Sequence, residues 1–191
     1  LARYFIGLRW KLLLRPLWVF RGVLQHRVPG IYNYHIARTK HFDSILLKML
    51  KEEIQQLVLL GAGNDTRPYR FRDLMKEVEV FELDFPGTQT RKKKNLIKLF
   101  GHLPDHVSYV PIDFGSESME DVLLKNRYRR DLKTLFLWEG VSYYLSEESV
   151  GDVLRFVAKN APQGSSILFD YSLRSFVEGD FRTYAAKEFT R

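Results

Sequence analysis

The sequence predicts an α/β fold: a doubly wound, mostly parallel sheet with helices on both faces. Three observations carry that expectation. Short apolar runs alternate with longer stretches whose apolar residues recur at three- and four-residue steps, the pattern of strand and helix in turn. One run, Leu57 to Leu60, enters Gly61-Ala62-Gly63, and a second, Val78 to Leu83, delivers Asp84 about twenty residues later. The later runs also finish on acids, at Asp113, Glu139 and Asp170.

Composition bounds the possibilities. The chain has 191 residues, enough for a domain with a full core, and at 45% hydrophobic and 28% charged it is globular in type. It contains no Cys, which excludes disulfides, a thiolate zinc site and a cysteine nucleophile. A net charge of +7 permits contact with nucleic acid or an anionic membrane without demanding either. No uncharged apolar stretch approaches the roughly 18–20 residues that span a bilayer. Charges interrupt the early apolar residues where a signal peptide needs a clean core, so a cytoplasmic protein is expected. The chain begins at Leu1 rather than Met and stops soon after the fifth strand-like run. A sheet cut short after its fifth strand, in a piece of a longer protein, is therefore the expectation.

Residues 1–30 are expected to form an N-terminal helical extension and residues 31–191 the main domain. In one helix over 1–24, Arg3, Lys11, Arg15 and Arg21 would share a side, with Arg9 opposite and a kink at Pro16. Such a basic amphipathic helix suits either packing on the domain or a partner, or peripheral contact with a membrane surface. Val28-Pro29-Gly30 marks a turn. His35 to Glu53 has helical spacing, through Ile36, Phe42, Ile45, Leu46, Met49 and Leu50, and leads into the glycine strand. Arg38 stands near its start; a lone arginine there is by default an exposed helix residue.

Leu57 to Leu60, apolar at every position and stopped by glycine, predicts a strand buried on both faces. Glycines let the backbone bend and approach a ligand closely, since no Cβ stands in the way. One short helix fits between Pro68 and Glu77. After Asp84, Pro86 suits the first turn of a helix that carries Arg91-Lys92-Lys93-Lys94, a run read as a solvated face. Val107 to Ile112 predicts the third strand, although Pro111 cannot donate to a ladder. Glu117 to Asn126 predicts a short helix and Thr134 to Trp138 the fourth strand. Ser146 is placed as the N-cap of a helix that stops at Pro162, with Glu147 and Glu148 in its first turn. Ser165 to Phe169 is the fifth strand; the residues from Ser172 onward are not placed.

In such a sheet ligands bind beyond the carboxyl ends of the strands. Clustered carboxylates repel one another unless a cation, a sugar or a base uses them. Two cofactors fit a glycine turn followed by an acid. A dinucleotide prefers G-x-G-x-x-G and a pyrophosphate on a helix N-terminus, but here Thr66 replaces the third glycine and Asp65 would repel the phosphates. S-adenosyl-L-methionine has no phosphate; its sulfonium, ammonium and ribose diol tolerate acids, so the electrostatics favour the methyl donor.

Leu57-Val58-Leu59-Leu60-Gly61-Ala62-Gly63-Asn64-Asp65-Thr66-Arg67, with Phe81-Glu82-Leu83-Asp84-Phe85-Pro86 and Trp138-Glu139-Gly140-Val141, resembles the leucine carboxyl methyltransferase family. Ala37-Arg38-Thr39 and Leu168-Phe169-Asp170-Tyr171 are similar to it as well. The family is a branch of the class I S-adenosylmethionine-dependent methyltransferases, so the resemblance implies their Rossmann-like fold and a methyltransferase enzyme. It implies, too, that Gly61, Ala62 and Gly63 pass beside the methionine part of the donor and that Asp84 accepts from both ribose hydroxyls. By the same resemblance, Asp113 and Phe114 lie against the adenine, Glu139 lies near the ammonium and Arg38 reaches the donor's carboxylate. The implied acceptor is a carboxylate or hydroxyl, of a small molecule or a protein C-terminus, with no nucleic acid and no metal expected. His35, His41, Tyr143 and Tyr144 are conceivable helpers, but no catalytic base is assigned. The other readings are a nicotinamide-dependent oxidoreductase and a non-enzymatic module whose basic N-terminal helix meets RNA or membrane.

Overall fold

The computed structural model describes residues 31–174. The expected helix over 1–24, the turn at 28–30 and the chain beyond 174 lie outside the described residues. Helix α1 (Ile31–Lys51) leads to β1 (Gln56–Leu60), a four-residue helix α2 (Arg67–Arg70) and a 3₁₀ turn (Arg72–Leu74). Then come β2 (Glu79–Asp84), α3 (Pro86–Phe100), β3 (Val107–Pro111), α4 (Met119–Lys125), β4 (Thr134–Trp138), a second 3₁₀ turn (Ser142–Tyr144), α5 (Glu147–Asn160) and β5 (Ser166–Phe169).

The five strands form one sheet in the order β3-β2-β1-β4-β5, every pairing parallel. Chain order reverses beside β1: the first connections wind outward through β2 to β3, and the next crosses back to β4. A crevice opens at such a switch point, outside the carboxyl ends of the strands.

Successive side chains point to opposite faces, so the all-apolar β1 serves two cores at once. Leu57 and Leu59 join Phe42, Leu46 and Met49 of α1 on one face. Val58 and Leu60 join Met119 and Leu123 of α4 and Val153 and Phe156 of α5 on the other. β1 and β4 are buried at every residue. Both begin a residue or more inside polar sequence: buried Gln56 starts β1, and its amide bonds the Arg129 carbonyl and Thr134 Oγ1.

Pro111 ends β3, which lies at one edge of the sheet, opposite Asp84. An edge strand tolerates a missing donor, and the ladder resumes at once, because the Ile112 N–H donates to the Asp84 carbonyl at 2.9 Å. Ser146 caps α5 by accepting from the Ser149 N–H at 3.2 Å, as the sequence led us to expect. The run Arg91–Lys94 departs from expectation. Lys92 is buried, on one stripe of α3 with Gln89 and Leu96, so this basic run is only partly a solvated face. Among the described residues no helix is long and apolar enough to cross a membrane.

Candidate functional site

A cavity of about 800 Å³ opens over the carboxyl ends of the strands. Its floor is the turn after β1. Gly61 has φ +68° and Gly63 φ +41°, values that disfavour any residue with a Cβ. At Gly61 the space is closed as well, because a Cβ would run into the Val141 side chain. At Gly63 the nearest neighbour to an added Cβ would be the Gly61 carbonyl at 3.7 Å, so there the backbone angle alone selects glycine.

Asp84, the last residue of β2, faces that turn. Its Oδ2 accepts the Gly63 N–H at 2.5 Å and its Oδ1 accepts the Phe85 N–H at 2.7 Å. Burial pushes its carboxyl above the usual aspartate value, while the two N–H groups and the Lys92 charge pull it back. Each carboxylate oxygen carries two lone pairs, so both retain capacity for a further donor.

Asp113 follows β3. Its Oδ1 accepts the Gly115 N–H at 2.9 Å, and its own N–H donates to Glu117 Oε2 at 2.8 Å. Phe114, half-buried, stands beside it on the cavity wall.

Glu139 follows β4 and sits among arginines. Arg38 Nε donates to its Oε1 at 2.9 Å and Arg67 Nη2 to its Oε2 at 2.6 Å. Arg38 Nη1 also reaches Asp170 Oδ2 at 2.7 Å, and Asp170 Oδ1 accepts the Gly140 N–H at 2.7 Å. Burial works against the charge of Arg38, but Glu139 and Asp170 together outweigh it and hold the guanidinium above its ordinary value. Arg67 is held up in the same sense, burial again opposed by Asp65 and Glu139.

The cavity thus brings together Arg38, Gly61, Ala62, Gly63, Asp84, Asp113, Phe114 and Glu139, all eight residues singled out from the sequence. Arg38 is not the exposed helix residue of the default reading. Of the conceivable helpers, Tyr143 and Tyr144 line the cavity, their ring centroids 4.7 Å apart. His35 and His41 are exposed on α1, outside its walls.

Two groups of residues had been given no part. Arg67 is buried and joins three acids: Asp43 from α1 at 2.7 Å, Asp65 at 2.6 Å and Glu139. Lys92 pairs with buried Glu82, whose Oε1 accepts from Tyr69 Oη at 2.7 Å. The stripe formed by Gln89, Lys92 and Leu96, at three- and four-residue spacing, was the available signal for Lys92. For Arg67 the local sequence offers only Asp65, two residues before it, since Asp43 and Glu139 come from distant parts of the chain.

The sequence pattern described as leucine carboxyl methyltransferase matches residues 11–158. A protein of Bacillus subtilis strain 168 named as the S-adenosyl-L-methionine-dependent methyltransferase YktD is 36% identical over 137 residues, 72% of this chain and 45% of its own length. A Frankia alni protein named in the same way is 26% identical over 161 residues, 84% of this chain and 57% of its own. Among solved structures, the glycopeptide N-methyltransferase MtfA aligns with a TM-score of 0.48 at 17% identity, over 66% of this chain and 55% of that one. The chain spans about half the length of the curated relatives it matches. The family pattern covers most of the chain, with the glycine turn, Asp84 and Glu139 inside it, so the chain belongs to the leucine carboxyl methyltransferase family.

Proposed function

We propose that the chain carries the donor site of an S-adenosyl-L-methionine-dependent O-methyltransferase. Its acceptor is a carboxylate or hydroxyl oxygen, of a small molecule rather than nucleic acid, and it acts in the cytoplasm. The observation that carries this reading is the pairing of the glycine turn with Asp84 across one cavity, joined by the 2.5 Å bond from the Gly63 N–H. The names of the relatives supply the donor.

The residues present fit that donor. Asp84 offers free lone pairs to the two ribose hydroxyls. Gly61, Ala62 and Gly63 leave room beside the methionine part, with no side chain beyond a methyl. Arg38 and Glu139, a cation and an anion 2.9 Å apart, complement the carboxylate and ammonium of a zwitterionic head. Asp113 and Phe114 supply an acceptor and an apolar ring for the adenine. When bound, S-adenosyl-L-methionine supplies an electrophilic methyl group on a sulfonium. The chain's own work is then to align donor and acceptor and to exclude water. A carboxylate acceptor, ionised at neutral pH, needs no base. A hydroxyl would be helped by one, but the phenol of Tyr143 on the cavity wall is pushed up, chiefly by burial, which keeps it protonated, and no base is assigned.

A nicotinamide dinucleotide fits less well. The helix after the turn has only four residues, and Asp65 lies where a pyrophosphate would pass. Calorimetric titration of the full chain with S-adenosyl-L-methionine, S-adenosylhomocysteine and NAD tests the choice. Binding of the first two is expected. Absence of heat and of thermal shift with both, or tighter binding of NAD, overturns the proposal.

A further inference from the structure

Behind the glycine turn lies a buried polar cluster whose own side chains do not line the cavity. Lys92 Nζ is 2.8 Å from Glu82 Oε2, an ion-pair distance off the line of a hydrogen bond, and both residues are almost wholly buried. Tyr69, in the helix after the turn, donates to the other Glu82 oxygen and stands 3.3 Å from Tyr109 Oη. A buried ion pair is a poor stabiliser: well-packed apolar groups in its place are usually neutral or better. Its position points elsewhere.

Lys92 Nζ also lies 3.5 Å from the Ala62 carbonyl, a long contact in which charge does more than hydrogen-bond geometry. The same carbonyl accepts the Asp65 N–H at 2.7 Å. Across a planar trans peptide the carbonyl of one residue and the N–H of the next point in opposite directions. The Ala62 carbonyl turned inward to Lys92 therefore turns the Gly63 N–H outward, onto Asp84 Oδ2. Asp84 and Glu82 stand two apart on β2 and so share a face of the sheet.

We propose that Lys92, with Glu82 as its buried counter-ion, is a positioning residue for the donor site: it fixes the Ala62–Gly63 peptide and through it aims the Asp84 carboxylate. This rests on the reading of Asp84 as the ribose ligand. The charge of Lys92 also favours the ionised form of Asp84, against burial. Around that carboxylate stand the acids Glu82 on its own strand, Asp65 in the turn, Asp113 after β3 and Glu139 after β4, and the cations Lys92, Arg38, Arg67 and Arg70. The three arginines are paired with Glu139, Asp170, Asp65 and Asp43, and Lys92 is the cation whose charge pulls the Asp84 carboxyl down.

The test is calorimetric titration of S-adenosylhomocysteine into wild type, Asp84→Ala and the double variant E82Q/K92M, at several pH values. The double variant removes both charges together, so its unfolding midpoint is expected within about 4 °C of wild type. Its affinity is expected to fall about tenfold, in line with a weakened charge-assisted contact. The acid limb of binding is expected to move to higher pH, which loss of packing alone does not produce. Lys92→Arg keeps the counter-charge for Glu82 but puts a planar fork where a point charge sat, and a roughly threefold loss is expected. Unchanged affinity and an unmoved acid limb in the double variant, while Asp84→Ala weakens binding, overturn this inference and leave the function standing. A double variant that fails to fold overturns it if Lys92→Arg binds as wild type does, and supports it if Lys92→Arg folds and binds more weakly. Wild type that binds no S-adenosylhomocysteine overturns the function and this inference with it.

Discussion

The two rims of the cavity hold their acids by different means. On the β2 rim Asp84 is oriented by backbone dipoles, the N–H groups of Gly63 and Phe85. On the β4 rim Glu139 is oriented by full charges, the guanidiniums of Arg38 and Arg67, which in turn hold Asp170, Asp43 and Asp65. Dipoles aim a carboxylate without neutralising it, so Asp84 keeps its charge available to an incoming hydroxyl. Ion pairs aim and neutralise together, so the β4 rim is a lattice of alternating sign, in which Arg38, Arg67 and Arg70 offset most of the charge of Glu139, Asp170, Asp43 and Asp65. The first arrangement suits a neutral diol, the second a zwitterion. The two also differ in what they mean for folding: a residue removed from the lattice strands its partners, whereas Asp84 has no opposite charge of its own to strand.

That contrast predicts the largest effect at Arg67, whose side chain is only 4% exposed. Arg67→Met leaves Asp65 without its cation and weakens the hold on Asp43 and Glu139. It is expected to lower stability by about 3 kcal/mol, the scale of a broken buried pair, as read by urea denaturation of the full chain. A loss below about 1 kcal/mol would place Arg67 with ordinary surface pairs and erase the distinction between the rims.

Asp84→Ala sits on the other side of the comparison. Stability is expected to change by less than about 1 kcal/mol, because burial already disfavours the charge that is removed. Affinity for S-adenosylhomocysteine is expected to drop by about 1–3 kcal/mol, the cost of hydrogen bonds to a charged group. Calorimetry reads both the affinity and its pH dependence. The ionised carboxylate is the form that accepts from both hydroxyls. Its pKa is raised, so affinity is full well above that value and fades as the pH falls through it, earlier than an unshifted aspartate would allow. A binding curve flat from neutral pH down through the ordinary carboxylate range would remove Asp84 from the site.

The same contrast explains what could be read from the amino-acid order. The β2 rim was legible because its parts are local signals: an apolar run, glycines where φ turns positive, and an acid at the end of the next strand. Asp113 and Glu139 were legible as acids at strand ends, whereas Arg38 and Phe114 entered the site only through the resemblance to the family. The lattice that joins them was not legible, since Arg67 and Glu139 are 72 residues apart and nothing near either marks the other. Lys92 was misread for a different reason. Its neighbours Arg91 and Lys94 are exposed, and a run of like charge obscures the one member that falls on the buried stripe with Gln89 and Leu96. Helical spacing inside the run, rather than its composition, held the information.

Asp113 gives the smallest and sharpest test of the division. It resembles Asp84 in that its carboxylate is tied to backbone, through the Gly115 N–H, while its own N–H donates to the Glu117 carboxylate. If it serves the adenine through an acceptor oxygen rather than through charge, Asp113→Asn keeps both the turn and the acceptor. Affinity for S-adenosylhomocysteine is then expected to fall by less than about 1 kcal/mol, while Asp113→Ala, which loses both, falls by about 1 kcal/mol more. The same isosteric change at Glu139 removes a charge from a lattice that depends on it, so Glu139→Gln is expected to lower affinity and stability together. Equal losses in Asp113→Asn and Glu139→Gln would mean that net charge, and not the manner of holding it, governs both rims.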